Sequence, residues 1–192
     1  MNTTAPFPLA DTSVLGTLRA RRTIHDFLPE RPPREAVLAA LDAARWAPNH
    51  RLTEPWRFYL LGAQTAERIS LLNADLVSRK SGQEAAAAKL RRWRAMPGWL
   101  AVTCVKSADA AREQEDYAAC CCAVQNLLLG LWAAGIGSKW STGKVIREPA
   151  FFDAIGADAA QEFCVGLVWY GYPQDVPAQH RVPLAETLFE RP

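Results

Sequence analysis

Arg19, Arg21 and Arg22 lie close together and run directly into Thr23. Guanidinium groups donate in planar forks and stay charged, and a neighbouring hydroxyl adds a further donor, so this combination suits a phosphate. A solvated charge run is the plainer reading of the same residues. A second stretch with chemical potential is 135–143, Gly-Ile-Gly-Ser-Lys-Trp-Ser-Thr-Gly, read as a loop whose small residues and side-chain donors could wrap a ligand. His50, in the polar segment 49–54, is a third candidate, although a lone histidine more often caps or faces solvent. Cys120, Cys121 and Cys122 are consecutive, with no CxxC spacing and no nearby histidine pattern. That disfavours zinc and suits reduced thiols packed as small apolar side chains.

These residues need a scaffold, and the sequence centres it on residues 117–134, apolar on every side except at Gln125 and Asn126. Such a segment reads as a helix buried around its circumference, with Glu113, Glu115 and Asp116 complementing the dipole at its start and Gly135 as a left-handed cap. A membrane span is the rival reading, but the segment is at the short limit for one, carries the Gln125-Asn126 amide pair and lacks a basic flank on either side. It delivers the chain straight into the 135–143 loop.

Before it, Asp11, Thr12 or Ser13 can cap a short helix with Val14, Leu15 and Leu18 on one face. Pro32 and Pro33 open a second helix, with Val37, Leu38, Leu41 and Ala44 inward and Pro48 as its stop. Residues 66–77 and 80–94 read as two more helices, the latter basic. Strands are expected at 57–61, 99–105 and 163–170. A short helix follows Pro149, carries Phe151, Phe152 and Ile155 on its apolar side, and closes at Gly156. The expectation is one α+β domain over residues 1–192.

Composition agrees: 192 residues, 49% hydrophobic and 22% charged, are enough for a real core. A net charge of +2 is too small to make nucleic acid or an anionic membrane the main partner. Residues 1–10 lack the basic start and apolar run of a secretory leader, so a cytoplasmic location is expected.

Four motifs stand in order: Arg21-Arg22-Thr23 followed by Phe27; Ala47-Pro48-Asn49-His50 followed by Pro55-Trp56-Arg57-Phe58; the 137–143 loop; and Arg181-Val182-Pro183-Leu184. Their order and spacing resemble the FMN-dependent nitroreductase family, and most of all its short bacterial branch of NAD(P)H nitroreductases, over roughly residues 15–188. The resemblance implies a homodimer with a mixed β-sheet flanked by helices, a central buried helix at the subunit interface, and FMN bound at that interface. It implies hydride transfer from NAD(P)H through FMN to a nitroaromatic, quinone or similar acceptor, in ping-pong order, with no catalytic acid, base or nucleophile from the protein. Same-fold chemistries such as enone reduction, dehalogenation and flavin consumption share these motifs, as would a non-catalytic FMN-binding or storage protein.

Carried over by position, Arg21, Arg22 and Thr23 take the phosphate and ribityl side of FMN, and Arg181 becomes a second phosphate ligand. Trp46 and His50 reach the flavin held mainly by the other subunit, while Trp140, Ser141 and Thr142 line the isoalloxazine ring. Departures from the family are Leu52 in place of a polar residue, Glu54 in place of Gln, and Gln179 where a Lys is common.

Overall fold

Runs of branched and aromatic side chains pair into one sheet in the computed structural model, which describes residues 13–191. The candidate leader stretch and two of the three cap candidates, Asp11 and Thr12, lie outside the described residues. The sheet holds β1 (Trp56–Leu61), β2 (Gly98–Val105), β3 (Gly137–Ser141) and β4 (Glu162–Gly171) in the order β1-β2-β4-β3. All three pairings are antiparallel, and a parallel bridge from Thr23 to Ser138 adds the other sense at the β3 edge.

The helices are α1 (Val14–Ala20), α2 (Arg34–Ala44), α3 (Ala63–Arg94), α4 (Ala110–Ala133) and α5 (Pro149–Ile155). On one face of the sheet α4 buries Val124, Leu127 and Leu131 against Val102, Cys104 and Val168, and α2 packs over α4. The approach of those two helices is close: a Cβ on Gly130 would meet the Cα of Ala40 at 3.2 Å. On the other face Trp93, Trp99 and Trp169 meet edge to face with ring centroids 5.1–5.5 Å apart, beside Ile69 and Phe151.

Local signals set the helix ends. Ser13 caps α1 by accepting from the Gly16 N–H at 3.0 Å. The α4 helix begins earlier than its apolar run, because the Asp109 carboxylate accepts from the N–H groups of Ala111 and Arg112. It ends as a Schellman turn with Gly135 at φ 73°: the Gly135 N–H donates to Trp132 O and the Ile136 N–H to Leu131 O, each at 2.9 Å. The α3 helix joins the two helices expected at 66–77 and 80–94 across a break at Gly82, whose φ of 84° few other residues adopt.

Five expectations change. Residues 137–141 form strand β3, not a loop, because the β4 edge offers an unpaired ladder that Lys139, Trp140 and Ser141 complete. The α4 helix is not buried all round in one chain: Tyr117, Ala118, Cys122 and Gln125 lie exposed, so the reading of all three consecutive cysteines as buried holds for Cys120 but not for Cys122. Val14, Leu15 and Leu18 of α1 are exposed instead of packed, and so is Leu38, since α2 turns Val37, Ala40 and Ala44 inward. No helix among the described residues is long and apolar enough to cross a membrane.

Candidate functional site

After α1 the chain becomes extended and is stitched along the β3 edge. The Ile24 N–H donates to Ser138 O at 3.0 Å, the Leu28 N–H to Tyr172 O at 2.8 Å, and the Gln174 N–H to Asp26 O at 3.0 Å. Arg21, Arg22 and Thr23 are thereby fixed at the start of β3. The Arg22 guanidinium folds back, its Nη1 donating to the carbonyls of Arg19 at 2.6 Å and Arg21 at 2.9 Å, so it also seals the end of α1.

Arg21 is half-buried, and the C-terminal tail brings Arg181 within electrostatic reach of it. Partial burial first, then the charges of Arg181 and Arg22, hold the Arg21 pKa below its ordinary value; no carboxylate acts in the opposite sense. None of the three arginines takes part in an ion pair among the described residues. Two like charges near a partly desolvated third guanidinium are unfavourable without a counterion, so the cluster could hold an anion. The Ser138 backbone bridges to Thr23, and its hydroxyl is fully buried with no hydrogen-bond partner among the described residues. Sequence reasoning passed over Ser138; its signal was a hydroxyl residue inside the small-residue run.

The far end of β3 offers different chemistry. Ser141 pairs with Leu167, whereas β4 begins at Glu162, so residues 162–166 have no strand partner on that side. The Trp140 indole lies across Gly166 and donates its N–H to Val165 O at 3.2 Å; a Cβ on Gly166 would sit 2.1 Å from that nitrogen. Trp140 therefore spends its polar atom inside the chain and contributes ring surface only. Beyond it opens a cavity of about 540 Å³, lined by the exposed Thr142, by Lys106, Tyr117 and Arg147, and by residues 162–165. The Glu162 carboxylate is tied down there by the Tyr59 hydroxyl at 3.0 Å and by the Thr103 hydroxyl. Burial and the Glu162 bond push the Tyr59 pKa up, so the phenol stays a donor. Ser138 and Thr142 are separated by four strand steps, or about 13 Å at strand rise. An anion-ready end and a cavity are thus aligned along one strand.

Trp46 and His50 stand apart from this line. Trp46 follows α2 and is 77% exposed, and His50 is exposed in a helical turn at His50–Leu52. The loop is braced from below: the Thr53 hydroxyl donates to the buried Asp116 carboxylate at 2.5 Å, and Asn49 Oδ1 accepts from the Glu54 N–H at 3.0 Å. Arg51, Leu52 and Glu54 all hold positive φ, at 58°, 52° and 43°. Such strain persists only where surroundings over-determine it, and functional loops concentrate it. Among the described residues no hydrogen bond or ion pair joins this loop to Arg21, Arg22, Thr23 or Arg181. The bracing residues Asn49, Thr53 and Asp116 are a second omission of sequence reasoning, because the Thr53–Asp116 contact crosses sixty-three positions.

Known proteins share this sequence and fold over most of the chain. The model of the nitroreductase family matches residues 18–172. The Bacillus subtilis protein named "Putative NAD(P)H nitroreductase YfhC" is 31% identical over 178 residues, covering 90% of this chain and 91% of that protein. A nitroreductase-like family protein from Bacillus cereus superposes with a TM-score of 0.81 at 27% identity, over 95% of this chain and 97% of that one. A Desulfovibrio desulfuricans protein described as a "putative nitroreductase in complex with fmn" superposes with a TM-score of 0.75 at 29% identity, over 93% and 96%. With the family model spanning Arg21 and Arg22, the braced loop and the whole sheet, the chain belongs to the nitroreductase family.

Proposed function

We propose that this chain is a single nitroreductase-like domain acting as an FMN-dependent oxidoreductase. When bound, FMN would supply hydride acceptance from NAD(P)H and onward reduction of a nitroaromatic, quinone or similar acceptor, in ping-pong order. The observation that carries this reading is the cluster of Arg21, Arg22 and Arg181, which no carboxylate among the described residues answers, a donor set matched to a phosphate monoester. Thr23 would add its hydroxyl on the ribityl side. Ser141, Thr142 and the ring of Trp140 would hold the flavin end, next to the uncovered stretch of β4. The relative solved with FMN supports this choice of cofactor, and the name of the Bacillus subtilis relative supports NAD(P)H as the reductant.

The reading includes a homodimer with FMN at the subunit interface. Val14, Leu15 and Leu18 of α1 and the Tyr117–Cys122 side of α4 leave apolar surface open on a single chain. Closing it against a second copy removes that surface from water, in the manner of obligate interfaces of roughly 2,000–5,000 Å². It would also give Trp46 and His50, exposed and rigidly braced, a flavin in the other subunit to reach. No nucleic acid or membrane partner enters this reading, and its setting is cytoplasmic.

The visible spectrum of the purified protein tests it. Flavin bands should be present or restored by added FMN, bleach anaerobically with NADH or NADPH, and return with a nitroaromatic or quinone. A chain that neither carries nor takes up FMN overturns the reading, and tight FMN that pyridine nucleotides fail to bleach moves it to a binding or storage role.

A further inference from the structure

We infer that a second cavity, of about 460 Å³ between the N-terminus of α2 and the β1–β2 end of the sheet, is a separate binding site for a small carboxylate with an aromatic or aliphatic body. Its lining includes none of Arg21, Arg22, Thr23, Trp46, His50, Trp140, Ser141, Thr142 or Arg181. Its size lies within the range of small-molecule pockets.

One end is polar and positive. Arg31 and Arg34 line it, and neither takes part in an ion pair among the described residues. At the opposite wall Arg94 is neutralised by Glu67. The α2 helix starts after Pro32 and Pro33 with no side-chain cap, so no capping side chain among the described residues satisfies its first N–H groups. Glu35, the carboxylate of that first turn, does not line the cavity.

The observation that points to a ligand is Tyr170. It is only 9% exposed, lines the cavity, and its hydroxyl has no hydrogen-bond partner among the described residues. Its ring reaches this place because Gly98 stands opposite: a Cβ there would fall 2.3–2.5 Å from the ring carbons. Burial raises the phenol's pKa, while Arg31 and Arg34 act to lower it, so both guanidinium groups lie within electrostatic reach of a neutral hydroxyl donor. The hydroxyl oxygen is not sealed off from solvent as the ring is, so its donor is open to a bound group. Two unpaired guanidinium groups and a donating hydroxyl are complementary to one carboxylate. The remaining wall, with Leu60, Leu61 and Trp99, is apolar and fits a ring or short chain attached to it.

The test is calorimetric titration of the purified full-length protein with 2-naphthoate, using naphthalene-2-carboxamide as the neutral control. Saturable binding of the acid is expected, with the amide at least about tenfold weaker, the ratio of a lost charge-assisted hydrogen bond. Arg34→Gln should weaken the acid about tenfold and Tyr170→Phe several-fold, by the same reasoning, without changing flavin content. Arg31→Gln provides a second charge variant outside the fold's core. Three results overturn the site: no saturable binding, binding indifferent to all three substitutions, or displacement of the acid by FMN or by a nitroaromatic acceptor, which would place it in the flavin site instead.

Discussion

Replacing Arg21 by Met keeps an unbranched apolar side chain in the half-buried position and removes only the charge and its donors. Two opposite effects follow from the same geometry. In the protein without ligand, Arg22 and Arg181 both act on Arg21 and no carboxylate offsets them, so deleting its charge relieves repulsion and desolvation. Because Arg181 is exposed, solvent screens that relief to about 0–1 kcal/mol. In the FMN complex the same deletion loses a charge-assisted hydrogen bond to the phosphate, about 1.5–3 kcal/mol, or roughly 10- to 150-fold in affinity. Riboflavin lacks the phosphate and should change by no more than about twofold, within the noise of one neutral contact. The assay is quenching of flavin fluorescence on titration of apoprotein, for FMN and riboflavin side by side, together with a thermal melt of the apoprotein. The FMN constant of the unsubstituted protein should also weaken with added salt, since part of its attraction is screenable. Equal losses for both flavins, or an apoprotein that melts several degrees lower, would refute the assignment of Arg21 to the phosphate and make it a structural residue.

Three further outcomes are expected. His50→Ala should lower the FMN midpoint potential and slow reduction by NAD(P)H while leaving the fold intact, because Thr53, Asp116, Asn49 and Glu54 brace the loop without it; spectroelectrochemistry showing an unchanged potential contradicts this. Cys122, exposed on one chain, should be protected from a thiol reagent at concentrations where sedimentation shows a dimer and should react on dilution, while burial pushes the Cys164 thiol up to about 12 and keeps it unreactive at neutral pH throughout; a fast Cys122 in a stable dimer rules out α4 as the interface. Burial first, then Lys139 and Arg92, lower the His25 pKa from 6.5, so the folded state resists its protonation. His25 therefore contributes stability present above pH 6.5 and lost as pH falls through its lower folded value. His25→Asn should flatten that acid limb in a melting-temperature series, and an unaltered limb assigns it to other groups.

How much of this was legible beforehand depends on the range of the interaction concerned. Caps and breaks act over a few residues, so Ser13, Gly135 and Gly156 mark their helix ends in the sequence as they do in the fold. The patterns of 99–105 and 163–170 announce strands because burial on both faces demands continuous branched and aromatic residues, and the half-buried 57–61 shows itself by aromatic and aliphatic content ended at Gly62. The arginine cluster is likewise visible as composition. Its meaning is not: whether Arg21 is solvated or half-buried, and whether a carboxylate answers it, depends on a tail residue one hundred and sixty positions away that the chain folds back to meet it. Residues 137–141 carry weak strand propensity, and only the unpaired edge of β4 makes them a strand and puts Ser138 beside Thr23. The open stripe on α4 has the same origin, since apolar content alone does not say which side of a helix its own chain covers. Local chemistry therefore sets where elements begin and end, while the partnerships of charges, edges and faces are long-range energies that only the assembled chain decides.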